Sequence, residues 1–189
     1  MWCSPDEGSR INSFALVSYI PDPLGEFLDR LRRDLVLGCA ARSHVTILPP
    51  RVLTVPDSQA GDLLRQDLQE FAPFRLELGD VEVFEKTSVV FLGIKNGQRE
   101  LEAMHQALNH DGLWFDEPYQ YHPHITLAQG FDAQLLPELH EIAKQRWSEF
   151  HGEKAYIVDV LTFVQNTAEN RWLDLEGFPL RERVGSVRK

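Results

Sequence analysis

The chain is poor in cysteine, with only Cys3 and Cys39 among 189 residues. The two share no metal-ligand spacing and cannot build a disulfide framework, so an ordinary core must hold the fold. Cys39 sits in an apolar Gly-Cys-Ala stretch and reads as a small buried residue, not a nucleophile. No apolar run approaches the roughly 18–20 residues that a membrane span needs. Met1 to Gly8 carries neither a basic start nor an apolar stretch, so no secretory signal is expected and a cytoplasmic location is. Positive charge is scarce too: 19 Lys and Arg stand against 29 Asp and Glu, a formal net charge of −10. That excludes broad electrostatic binding to duplex DNA, which needs a basic footprint. It leaves room for a small phosphate ligand held by a few local charges. Glycine-rich phosphate loops, dinucleotide fingerprints, Cys/His zinc patterns and His-Glu-x-x-His are all missing, so neither cofactor nor metal is expected.

What is present is a normal globular balance, 43% hydrophobic and 25% charged. A chain of this length buries about 70% of its unfolded surface. Phe14–Ile20 is β-rich and stops at Pro21. Asp22-Pro23 offers an N-cap and a proline for the first helical position. Leu24, Phe27, Leu28, Leu31 and Leu35 then recur at helical spacing, and Gly38 ends the run. His44–Leu48 reads as a strand closed by Pro49-Pro50. Asp57 opens a second helix carrying Leu63, Leu64, Leu68 and Phe71. Two strands bent near Gly79-Asp80 are expected between Phe74 and Phe84. The pattern then restarts with a strand over 89–95, a helix marked by Leu101, Met104 and Leu108, and a long loop from His110 to Tyr121. A strand over 124–128, a helix with Leu135, Leu139 and Ile142, and last strands over 155–165 and 171–175 complete it. The order strand, helix, strand, helix, strand therefore occurs twice. It predicts one α+β domain over 1–189 with two lobes, about 12–86 and 87–180, around a cleft. A loose tail is expected over 181–189.

Each half places the same short motif on its second strand: His44-Val45-Thr46-Ile47 and His124-Ile125-Thr126-Leu127. Side chains alternate along a strand, so His and Thr share one face and the apolar pair turns to the core. Two such faces meeting would bring two imidazoles and two hydroxyls together. One neutral imidazole can take a proton from water or a hydroxyl, and one protonated imidazole can give a proton to a leaving oxygen. The ordinary histidine pKa of about 6.5 allows both forms near neutrality. Threonine hydroxyls can donate to phosphate oxygens as charge develops. The set suits phosphodiester hydrolysis without a metal.

With both motifs in place, the chain resembles the two-histidine phosphoesterase superfamily, which includes LigT-like 2′-5′ RNA ligase-like proteins and cyclic phosphodiesterases. The likeness runs from about Phe14 to Leu180. It also rests on Pro123-His-Ile-Thr-Leu127 and on the closing stretch from Arg171 to Leu180. It implies a bilobal fold with antiparallel sheets around a groove, with His44, Thr46, His124 and Thr126 as catalytic residues. It implies hydrolysis of a 2′,3′-cyclic phosphate at an RNA end or nucleotide, or action on a related cyclic phosphate or 2′-5′ linkage. Several LigT-like members carry a basic residue where this chain has Gln129, an amide that can donate to phosphate but brings no charge. A compact substrate such as a small nucleotide or an ADP-ribose cyclic phosphate fits that difference, and a monomer is expected.

Other residues admit two readings each. Tyr121 and Tyr119 could stack on a nucleotide or pack within their loop. Arg51 could contact phosphate or be a solvated loop charge. Arg30, Arg32, Arg33 and Arg42 read as a wet helix face and its exit loop. Trp114 and Phe115 could line the groove or anchor the long loop. His122 and His124 have metal-ligand spacing and, with His44 and Asp116, could form a metal-dependent hydrolase. Pro123 and the otherwise unexplained threonines weigh against that. A binding module that has kept the fold is the third reading.

Overall fold

The computed structural model describes residues 9–39 and 42–181. Cys3 and the expected tail beyond Arg181 lie outside the described residues. The elements run β1 (Arg10–Tyr19), α1 (Leu24–Leu35), β2 (His44–Arg51), α2 (Asp57–Asp67), β3 (Phe74–Phe84) and β4 (Val89–Asn96). They continue α3 (Gln98–Leu108), β5 (Ile125–Ala128), α4 (Leu136–Ser148), β6 (Ala155–Val158), β7 (Val160–Thr167) and β8 (Trp172–Pro179). Two antiparallel four-stranded sheets result, ordered β2-β1-β7-β8 and β5-β4-β3-β6.

Local signals explain most elements. On α1, Leu24, Leu28, Leu31 and Leu35 are buried at helical spacing, each fully buried leucine contributing roughly 1.5–3 kcal/mol. The Asp22 carboxylate accepts the Glu26 N–H at 2.9 Å, while Pro23 precedes the helix and does not open it. Gly97 begins α3 at φ +93, and a Cβ there would collide with the Arg75 carbonyl, so glycine is required. Cys39 is half-buried rather than buried.

Three expectations about strands need correction. Pro49 and Pro50 do not close β2, which continues to Arg51 opposite Phe14. β2 is an edge strand, where a missing N–H costs no ladder bond. Residues 74–84 are one strand, not two. Between the pairs Leu78↔Ile94 and Val81↔Leu92 an extra residue is accommodated on β3, so Gly79-Asp80 bends the strand as a bulge without ending it. Residues 155–167 are two strands, not one. The chain leaves the second sheet at Asp159, since β6 pairs with β3 and β7 pairs with β1.

That last break changes the lobes. The duplication survives as β1-α1-β2 and β4-α3-β5, each with its motif strand at a sheet edge. β3 is nevertheless built into the sheet of the second half, and β7 and β8 return to the sheet of the first. The lobes are therefore interleaved in sequence and do not divide near residue 86. Helices cross as well: α1 packs on β5 and α3 on β2, and the edge strands β2 and β5 approach each other. One continuous core spans both sheets, from Leu16, Leu28 and Ile47 to Leu92, Leu101 and Ile125.

Candidate active site

Both motifs show the same burial alternation. His44, Thr46, His124 and Thr126 are half-exposed, while Val45, Ile47, Ile125 and Leu127 are buried. On the first sheet, His44 lies opposite Tyr19 and Thr46 opposite Val17. On the second, Thr126 lies opposite Phe91. His124 stands one residue ahead of β5, just after Pro123.

The two histidines are held alike. His44 Nδ1 is 2.6 Å from the Arg42 carbonyl, and His124 Nδ1 is 2.7 Å from the His122 carbonyl. A carbonyl only accepts, so each Nδ1 carries hydrogen and each neutral ring keeps its lone pair on Nε2. Among the described residues neither Thr46 nor Thr126 commits its hydroxyl to a hydrogen bond, so two bases and two donors remain available. Burial pushes His44 down to about 4; the Arg42 carbonyl opposes this, and Arg32 and His124 add to it. Burial lowers His124 as well, opposed by the His122 carbonyl and assisted by the His122 ring. Both rings are therefore neutral near pH 7 in the free protein. The edge strands that carry the two motifs, β2 and β5, lie against each other.

The surroundings of the two histidines differ. His124 meets the edges of Phe84 and Phe91, with ring centroids at 5.1 and 5.2 Å, and Phe84 stacks on Phe91 at 4.0 Å. His122 joins the same aromatic group, 6.4 Å from His124. His44 meets Tyr19 edge-on at 6.3 Å. The Tyr19 hydroxyl donates to Asp174 at 2.6 Å, and the Arg42 guanidinium lies over its ring at 4.2 Å. Burial, followed by the Asp174 bond and charge, raises the Tyr19 pKa, so the phenol stays protonated.

The other residues weighed for the site have different surroundings. Arg51 is neither solvated nor turned to the cleft. Its side chain is 1% exposed and pairs with Glu117 at 2.6 Å. Its remaining N–H groups bind Pro49, Asn109 and Leu113, so it clamps the loop before the second motif. Tyr121 stacks on His105 at 3.9 Å and donates its hydroxyl to the Thr46 carbonyl at 2.7 Å. His105 Nδ1 donates to the Ile47 carbonyl at 2.8 Å. These two side chains tie the second half to the first motif strand, and one face of the Tyr121 ring and its hydroxyl proton are committed there. Gln129 is exposed just after β5, as are Trp114 and Tyr119 in the loop. Arg32 is not part of a wet helix face: it is 5% exposed and donates to the Arg42 carbonyl at 3.3 Å. Asp29 on the same helix accepts the Ser43 N–H at 2.6 Å. Together they set the backbone that holds His44. Among the described residues no three His, Cys, Asp or Glu side chains gather closely enough to hold a metal, so His122, His124, His44 and Asp116 do not form the alternative centre.

Sequence reading missed Tyr19, Asp174, Phe84 and Phe91. Tyr19 was within reach, since strand alternation puts it on the face opposite Leu16. Asp174 was not, because it comes from β8 by way of the sheet crossover.

The model of the 2′-5′ RNA ligase superfamily matches residues 20–168, which include both motifs. The chain belongs to the 2′-5′ RNA ligase superfamily. Solved structures agree with that superfamily's fold. E. coli LigT in its apo form matches with a TM-score of 0.62 at 20% identity, covering 94% of this chain and all of LigT. A structure described as a phosphoesterase matches at 0.61 and 19% identity, over 93% of this chain and all of its own. E. coli LigT complexed with 3′-AMP matches at 0.59 and 18% identity, again over 93% of this chain and all of LigT. No curated protein matches the chain. Within the superfamily the chain carries both His-x-Thr motifs, and the structure sets them at edge strands of two antiparallel sheets. Among the described residues no helix is long and apolar enough to cross a membrane.

Proposed function

We propose that this protein is a metal-independent phosphoesterase that hydrolyses a 2′,3′-cyclic phosphate on a nucleotide or an RNA end. The observation carrying this reading is the shared tethering of His44 and His124, which leaves Nε2 of each ring free on the strand face that also carries Thr46 or Thr126. One Nε2 takes a proton from water as the water oxygen bonds to phosphorus. The other, protonated, gives its proton to the ribose oxygen as the phosphorus–oxygen bond breaks. Thr46 and Thr126 donate to the non-bridging oxygens, where negative charge grows. Both imidazoles are neutral in the free protein, so the anionic substrate itself promotes protonation of the acid by raising its pKa. The superfamily match and the 3′-AMP bound to E. coli LigT, a nucleotide with a terminal phosphate on ribose, support this substrate class. A cytoplasmic monomer acting on small cyclic nucleotides or single RNA ends fits the acidic chain.

The test is hydrolysis of the four nucleoside 2′,3′-cyclic phosphates in excess EDTA, with the product isomer identified. Turnover that survives chelation and is lost in a His44→Ala/His124→Ala double variant is expected. Loss in EDTA would favour a metal-dependent hydrolase. Binding without turnover would favour a nucleotide-binding module, and joining of a 5′-hydroxyl to the cyclic phosphate would favour ligation.

A further inference from the structure

Two neutral imidazoles and two hydroxyls bring no positive charge of their own, in a chain with a formal net charge of −10, and the Arg32 guanidinium whose charge acts on His44 is itself buried. An anionic phosphodiester approaching the site needs a cation. Gln129 brings none. Arg51 is buried against Glu117 and three further acceptors. Arg32 is buried and turned towards a backbone carbonyl. Arg42 differs from both. It precedes His44 by two residues, is exposed, and makes no ion pair among the described residues. Its guanidinium is held by Tyr19, whose ring lies 4.2 Å away and also meets the edge of His44. Tyr19 in turn is fixed by its hydrogen bond to Asp174 and by packing against Ala15, Val17 and Val164, an apolar cluster apart from the main core. An arginine stacked on an aromatic ring keeps the edge of its planar fork available for two oxygens of a phosphate.

We propose that Arg42 is the phosphate-binding cation of this site, presented beside His44 on a platform made by Tyr19 and Asp174. Tyr19 and Asp174 are positioning residues, acting through Arg42. The inference rests on the phosphoesterase reading for its substrate, but phosphate binding can be measured without turnover. The asymmetry it creates is chemical: the phosphate anchors on the His44 side, while Phe84 and Phe91 form an apolar wall against His124 on the other.

The experiment follows inorganic phosphate binding through the imidazole NMR signals of His44 and His124, alongside hydrolysis of the nucleoside 2′,3′-cyclic phosphates. Arg42→Gln is expected to weaken phosphate binding and raise KM by about ten- to a hundredfold, with the melting temperature unchanged because the side chain is exposed. Arg42→Lys should fall between, keeping the charge but losing the fork. Tyr19→Ala should raise KM, and adding Arg42→Gln to it should cost little more, because the two act as one unit. Additive effects would remove Tyr19 from the assignment. Phosphate affinity and KM unchanged in Arg42→Gln would overturn the proposal while leaving an active wild type as a phosphoesterase. Phosphate binding lost in Arg42→Gln in a protein that turns over no cyclic phosphate would uphold Arg42 and sink the hydrolytic reading.

Discussion

At His44 and His124 the backbone chooses the tautomer. Each ring donates through Nδ1 to the carbonyl two residues earlier, so the lone pair of each neutral ring is on Nε2. Removing either ring, as His44→Ala or His124→Ala, should lower kcat by at least about a hundredfold, the low end of general acid–base effects. Steady-state kinetics checks this, and a single variant at full rate would break the two-histidine assignment. The titrations should be visible directly. In the free protein His44 should titrate near 4 and His124 below the ordinary value, and bound phosphate should move both upwards. Imidazole NMR across pH 3–9 (roughly the range in which histidines titrate) reads both shifts; a free His44 midpoint above its ordinary value would contradict the burial argument. The activity profile should be bell-shaped and report the pair, not either residue.

Between elements, the two motif strands are edges and are held by side chains from elsewhere. β2 receives Tyr121 and His105 on successive carbonyls, and Arg51 on the same strand reaches the loop ahead of β5. Arg51 and Glu117 are both nearly buried. Cutting one member of a buried pair strands the other charge, at about 3–5 kcal/mol. Arg51→Ala should therefore lower the denaturant midpoint sharply, and a midpoint matching wild type would refute the clamp. Tyr121→Phe should cost only about 1 kcal/mol, one hydrogen bond, while keeping the stacked ring. This scale is also where sequence reading was weakest. The helix faces and the His-x-Thr alternation were legible because their periods are local. The fate of Pro49-Pro50 was not, since a proline ends a central strand but is tolerated at an edge, and no local pattern says which β2 is. Arg51 was misplaced for the same reason: its partners lie more than fifty residues away in the chain.

For the whole molecule, interleaving predicts that a cut near residue 86 yields no folded half. The first piece would keep β3 without its partners β4 and β6, and would leave β1 without β7. Expressed alone, residues 9–86 should lack dispersed NMR signals; a folded spectrum would restore the two contiguous lobes. Global stability should also respond to pH with a definite sign. His44 and His124 are lowered in the fold, so between about pH 6.5 and their folded values the unfolded chain binds more protons. Stability is lost as pH falls through that window. His110 acts oppositely: burial disfavours its charge, but Asp111 and Asp67 on its two nitrogens prevail and raise it. Its contribution is full below about pH 6.5 and is lost as pH rises through its folded value. Denaturation midpoints from pH 4 to 8 (bracketing the histidine range) should show the acid loss, weakened in His44→Gln, and a smaller alkaline loss absent in His110→Gln.

The sequence by itself determined the candidate groups: two imidazoles and two hydroxyls, each pair on one face of a strand, with an apolar partner set behind. Alternation along a strand is a property of neighbouring residues, so it could be read without any fold. Only the tertiary structure decided that β7 and β8 cross back to the first sheet and that Asp174 thereby reaches Tyr19. It alone decided that Arg42 lies over the Tyr19 ring while Arg32 and Arg51 are buried. Those outcomes depend on which strands pair over long separations, and pairing is chosen by the whole core rather than by any local period.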